Sequence, residues 1–144
     1  MSGRDRAAVE PPKTRLVTRD QHFALHAYAS VALVKNEARE SYKIAVHDFG
    51  TYLVRGGLAA AMAALERSKG AGARCLLGHL ADAGLVGLAK ANADELPARV
   101  RALGLDAYVM ASRESLHLTL WLKRAVQASA VEVSGPANEA ADAH

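Results

Sequence analysis

The sequence contains one cysteine, Cys75, in 144 residues. An internal disulfide is therefore excluded, and a reducing compartment fits the chain best. Aromatic residues make up only 5% against 51% hydrophobic residues overall, so alanine rather than aromatic rings must supply much of the interior. No apolar run approaches the roughly 18–20 residues of a membrane span, and the opening MSGRDRAAVEPPK lacks the apolar core of a secretion signal. A cytoplasmic protein without a membrane partner is expected. Any β signal is also missing: there is no alternating period and there are no turn-bounded runs of β-branched residues. The expected fold is all-α, a compact bundle of about five to six helices in one domain. A chain of this length buries roughly 68–70% of its unfolded surface, so no metal or disulfide staple is required.

Charge is present in both signs but unevenly placed. The net charge is +3, yet Ser129–His144 carries Glu132, Glu139 and Asp142 with no lysine or arginine, which leaves +6 on residues 1–128. A mildly basic body with an acidic tail is compatible with a polyanionic partner without requiring one. Residues 1–17, with Pro11-Pro12, read as a flexible lead-in. Residues 18–128 read as the helical bundle, and 129–144, with Ser134-Gly135-Pro136, as a disordered acidic tail.

The spacing predicts a first helix over 18–36, starting near Thr18 with Asp20 behind it. Phe23, Ala27, Ser30 and Val34 share one of its faces; Leu25, Tyr28 and Ala32 share another. A second helix over 38–54 places Tyr42, Val46, Phe49 and Leu53 on a stripe. Gly50 inside it costs up to about 1 kcal/mol relative to alanine, which implies a close contact there. Gly56-Gly57 ends it, and an alanine-rich third helix follows to about Ser68, with Leu58, Met62 and Leu65 as its large apolar positions. After the break Lys69-Gly70-Ala71-Gly72, a fourth helix is expected to about Leu88, with Leu76, Leu77, Leu80 and Leu85 inward. Asp94 is expected to cap a short segment over 95–103 that carries Pro97 in its first turn and stops at Gly104. The last helix, over 106–128, has two apolar sides. Ala107, Ala111, Leu118, Trp121, Leu122 and Ala125 form one, and Val109, Leu116 and Leu120, mixed with Arg113, Lys123 and Arg124, form the other. A surface helix ordinarily has one. This helix is therefore either central in the bundle or in contact with another subunit.

Chemistry is scarce. The loop Ser68–Arg74 has glycines, two cations and a helix behind it, but it lacks the P-loop spacing and follows a helix, so it reads as a helix–helix turn. His22 and His26 lie four apart, a spacing that can present two imidazoles to one metal, but no third ligand or neighbouring base completes a site. A small metal-dependent enzyme built on this pair is the alternative reading, and a protein–protein adaptor is another. His47-Asp48 and His117 have no serine or cysteine nucleophile at readable spacing, and Cys75 reads as a small core residue. Glu114, on the apolar side of the last helix, needs a partner, expected to be an arginine from a neighbouring helix. No catalytic residue, metal or cofactor is assigned.

The order of residues resembles the small helical subunit of the type III-B CRISPR effector, the Cmr complex, from about Asp20 to Gln127. The resemblance rests on "RDQHFALHAYASVALV" in the opening helix and on Tyr42, Phe49 and Gly57-Leu58 in "YKIAVHDFGTYLVRGGLAAAMAAL". Lys69 follows, and the final "YVMASRESLHLTLWLKRAV" contributes Tyr108, Glu114, Leu116, Trp121, Leu122, Lys123 and Arg124. The chain departs from the pattern at Gly56, where an asparagine-like cap is usual, at Thr51, where proline is frequent, and in its proline- and alanine-rich ends. The small subunit of the type III-A complex is the nearest confusable family.

The resemblance implies a non-catalytic structural subunit with no cofactor. Its implied partners are other subunits of the Cmr complex, further copies of itself, guide RNA and target RNA. RNA cleavage would belong to the backbone subunits, and DNA cleavage and cyclic-oligonucleotide synthesis to the large subunit. Lys43, Arg55, Lys69, Arg74, Arg113, Lys123 and Arg124 are the candidate contacts to the RNA backbone, although a solvated surface position accounts for each as well as a contact does. Leu116 and Leu120 are the candidate subunit interface, the alternative being burial within their own bundle.

Overall fold

A computed structural model describes residues 16–142, with side chains over 16–130. Among these residues six α-helices follow one another: α1 (Arg19–Ala32), α2 (Arg39–Gly56), α3 (Leu58–Arg67), α4 (Ala71–Ala81), α5 (Leu96–Arg101) and α6 (Leu105–Asp142). A 3-10 turn, Asn36–Ala38, leads into α2, and there is no strand among the described residues. The expected all-α bundle is what forms.

α1 starts at Thr18 through a capping box: the Thr18 hydroxyl accepts from the Gln21 amide (3.0 Å) and the Gln21 side chain accepts from the Thr18 amide (2.9 Å). Its buried face is Phe23, Ala27, Ser30 and Val31, packed mainly on α6. The helix stops at Ala32, short of the expected residue 36, although Val34 is still buried. α2 buries the predicted Tyr42, Val46, Phe49 and Leu53 and lies against α3, α4 and α6. Gly57 ends it at φ +91°, a conformation strained for any residue with a Cβ, and starts α3 in the same step.

α4 crosses α2 at very short range. A Cβ on Gly72 would sit 2.2 Å from the backbone of Ser41 and Tyr42, so only glycine permits this approach. The close contact anticipated at Gly50 is thus exceeded by one at Gly72, in α4.

Three further helix ends differ from expectation. α4 ends at Ala81 instead of Leu88, because Gly84 and Gly87 take positive φ and turn the chain back. Leu85 and Leu88 still enter the core, from successive turns. The short α5 is entered through Asn92, not Asp94: the Glu95 amide donates to Asn92 Oδ1 (2.9 Å) and the Asn92 amide to Glu95 Oε1 (3.2 Å). The backbone of α6 is helical to Asp142, past the residue 128 at which the sequence reading ended the helix and began a disordered tail. Ser129, at that point, accepts a hydrogen bond from Arg39 of α2. The lead-in 1–15 and residues 143–144 lie outside the described residues.

Candidate nucleic-acid and subunit interface

α2 and α6 run antiparallel. Arg39 meets Ser129 at one end, Gly50 lies under Lys123 in the middle, and at the other end the Tyr108 hydroxyl accepts from the Ala59 amide (3.0 Å), just beyond the end of α2. The inner face of α6 buries Ala111, Leu118, Leu122 and Ala125, with Ala107 and Trp121 half-buried beside them. At 3.6 residues per turn, Leu116 and Leu120 point about 160° away from Leu118. They are 39% and 46% exposed, in line with the exposed Val109. The second apolar side of α6 therefore faces solvent, and its alternative, burial inside the bundle, is overturned.

The cations of that face are Arg113 and Arg124, both exposed, and Lys123, which is half-buried. Lys123 lays its stem on Gly50: a Cβ there would be 3.1 Å from its Cε, so the contact read from Gly50 is this one. The Arg124 guanidinium sits 4.9 Å from the Trp121 ring centre, and Trp121 Nε1 donates to Asp20 of α1 (2.8 Å). This stack holds Arg124 on the surface at little further entropic cost. Asp20, read from the sequence only as a first-turn acid, is thus also the anchor of the tryptophan.

The other four candidates lie elsewhere. Lys43 is exposed on α2, about 10 Å along the axis from the seat of Lys123. Lys69 and Arg74 are exposed at the start of α4, where Gly70 approaches Ser41, and Arg55 is exposed in the last turn of α2. The structure therefore gathers Arg113, Lys123 and Arg124 on one helix face and distributes the rest. The first turn of α4 has internal partners: the Gly72 amide donates to Ser41 Oγ (2.9 Å) and the Arg74 amide to the Gly70 carbonyl (3.2 Å). These bonds account for the Ser68–Arg74 loop as a packed turn.

The histidine pair has a different task from metal binding. His22 Nε2 donates to the Ala83 carbonyl (2.9 Å) and His26 Nε2 to the His79 carbonyl (2.7 Å), so both imidazoles close carbonyls around the C-terminal end of α4. The Tyr42 hydroxyl and His79 Nδ1 are hydrogen-bonded (2.8 Å). Burial, reinforced by Cys75, pushes the Tyr42 hydroxyl well above its ordinary pKa, which keeps it protonated. Burial also lowers the pKa of His79; His26 adds to this, and Asp82 opposes it. Among the described residues no group of three or more His, Cys, Asp or Glu side chains could hold a metal ion. His47, Asp48 and His117 are exposed on their helices.

Glu114 has the partner its position demanded. It is 8% exposed, its Oε2 accepts from Arg19 (3.0–3.1 Å), and its Oε1 accepts from the Val86 amide (2.9 Å). Arg19 also donates to the Gly84 carbonyl (3.0 Å), so one carboxylate ties α1, α6 and the 82–95 turns together.

Comparison with known proteins identifies this architecture. A family model described as CRISPR-associated protein (Cas_Cmr5) matches residues 19–129, from the start of α1 into α6. The X-ray structure of a CRISPR-associated Cmr5 family protein from Thermus thermophilus is similar, with a TM-score of 0.69 and 28% identity over 78% of this chain and 97% of that one. No curated protein matches. The resemblance read from the order of residues is thereby shown, and the chain belongs to the Cmr5 family, whose members are subunits of the type III-B CRISPR Cmr complex.

Proposed function

We propose that the chain is a non-catalytic structural subunit of a type III-B CRISPR ribonucleoprotein acting in antiviral defence. It lies beside the groove in which guide and target RNA pair. It contacts RNA through phosphate and sugar and joins neighbouring subunits, including further copies of itself. The observation that carries this reading is the outer face of α6, where an exposed apolar stripe runs between exposed and stacked cations.

Where base pairing reads the sequence, a protein subunit needs only backbone contacts. Such contacts ask for Lys and Arg on a rigid surface, not for a catalytic constellation. A body charge of +6 suits a subunit that touches a short stretch of strand and gains affinity through repetition. Arg113, Lys123 and Arg124 are the first candidates for contact, with Lys43, Arg55, Lys69 and Arg74 as further ones. Leu116 and Leu120 are the proposed subunit contact.

The test is a tagged pull-down from native cells with sequencing of the bound RNA. Short guide RNAs with a common repeat-derived end, recovered with larger CRISPR subunits, support the proposal. Protein partners that persist after nuclease treatment, with no such RNA, would favour an adaptor instead. Residue by residue, Arg124→Gln or Lys123→Met is expected to reduce the log–log salt slope of RNA binding by about 0.7–0.9 and to weaken all sequences alike. A variant with an unchanged slope removes that residue from the contact set.

A further inference from the structure

A cleft of about 160 Å³ opens between α2, α3 and the start of α4. Alanines of all three helices line it, where larger side chains would fill the space. Three side chains at its mouth carry chemistry. Tyr52 is 48% exposed, and Asp48 and Arg67 are exposed as well. Asp48 and Arg67 make no ion pair among the described residues, with each other or elsewhere. The cleft thus holds an acceptor and a donor that are both open to a ligand. Cations stand around this mouth. Asp48, Tyr52 and Arg55 follow at i, i+4 and i+7 along one face of α2, which puts Arg55 next to the ring. Lys69 follows Ser68 and Arg74 follows Ala73, both of which line the cleft. Arg55, Lys69 and Arg74 are all exposed. Three of the cations that lie away from the α6 face therefore border one aromatic-walled cleft.

We propose that this cleft receives the base of one unpaired RNA nucleotide, with the flanking phosphates on Arg55, Lys69 and Arg74. The site rests on the RNA-binding reading above and adds to it a contact beyond phosphate and sugar. A base in a duplex is paired at its edge and stacked on both faces, so only an unpaired one can enter. Every base offers a flat ring to Tyr52, an N–H to Asp48 and an acceptor to Arg67. The cleft therefore takes a nucleobase without demanding a sequence. Asp48 separates a base from a phosphate as the occupant. A carboxylate at the mouth repels an anion and is useful only where the ligand donates a hydrogen bond.

The test uses the full-length protein, a short single-stranded RNA, and an abasic strand with the same sugar-phosphate backbone. The Tyr52 ring and the Ala61 and Ala64 methyls are followed by NMR. The RNA is expected to shift both sets saturably, and the abasic strand to bind about tenfold more weakly and leave them unmoved. Tyr52→Ala should weaken the RNA by a similar factor without affecting the abasic strand, and Tyr52→Phe should restore it. Asp48→Ala should also weaken the RNA, although it removes a negative charge. Tighter binding by that variant would overturn the proposal, since Asp48 would then act only by repulsion. Equal binding of the two strands, or no shift in the cleft with either, would overturn it too. So would saturation by a free nucleoside monophosphate more tightly than by the RNA, which would assign the cleft to a small nucleotide. Guide RNA recovered in the pull-down, with unmoved cleft signals here, would sink this site alone and leave the subunit reading standing.

Discussion

Glu114 and Gly72 show how a single position can hold several elements. Glu114→Ala would leave the Val86 amide without its acceptor and Arg19 without its ion partner; about 1–3 kcal/mol of stability should be lost, read as a lower urea midpoint. The exposed Arg19 end of the pair is solvent-screened and contributes the smaller share. Gly72→Ala should be at least as damaging, because its Cβ would meet backbone and not a movable side chain. Far-UV circular dichroism against temperature checks it, and a variant melting like the parent would refute the close crossing. Glu114 was legible in the sequence, since an acid on an apolar helix side demands a partner. Gly72 was not: a glycine beside a helix break reads as part of the turn, and nothing local says that another backbone lies against it. Arg39 escaped for a similar reason, its partner Ser129 lying on α6, 90 residues away.

Among the elements, helices were easier to find than their ends. The period of the apolar positions marks each helix, but Leu85 and Leu88 continue the period of α4 from turns that are not helical. Only the backbone angles of Gly84 and Gly87 separate the two cases. His22 and His26 were likewise visible as a pair, but the carbonyls they serve belong to α4 and the turn after it. The junction of α1, α2 and α4 carries a pH consequence. The folded pKa of His79 is depressed by burial, so between that value and its ordinary one near 6.5 the unfolded chain binds more protons. Its contribution to stability is therefore complete above about pH 6.5 and declines as pH falls through the folded value. Urea midpoints measured from pH 7.5 to pH 5 should fall, and less steeply in His79→Gln. Parallel slopes would remove His79 as a source of the acid sensitivity.

At the scale of the whole molecule, α6 packs on α1 and α2 and is also a surface offered outward. Leu120→Lys should leave stability within about 0.5 kcal/mol, since the residue is half exposed, while abolishing incorporation into the larger complex. Unfolding of that variant would contradict the exposed stripe. Retained incorporation would remove Leu120 from the interface. The two-sided character of α6 was plain from its period, but a single chain cannot reveal whether the second side meets its own helices or another molecule. α1 repeats the pattern: Leu25, Tyr28 and Leu33 are exposed, and no Asp, Glu, Lys or Arg lies between Gln21 and Val34. No helix among the described residues is long and apolar enough to cross a membrane.

The packing of α1 on α6 also sets an order of events during synthesis. Arg19 reaches Glu114 across 95 residues and Asp20 reaches Trp121 across 101. α2, α3 and α4 are close in sequence and can pack as they leave the ribosome. The first helix made must wait for the last. At about 5–20 residues per second that interval is several seconds, during which Phe23, Ala27 and Val31 lack their main packing surface. A nascent chain halted before residue 114 would thus carry a packed α2, α3 and α4 and an unclosed beginning, and a chaperone that binds apolar helices would find its substrate in α1.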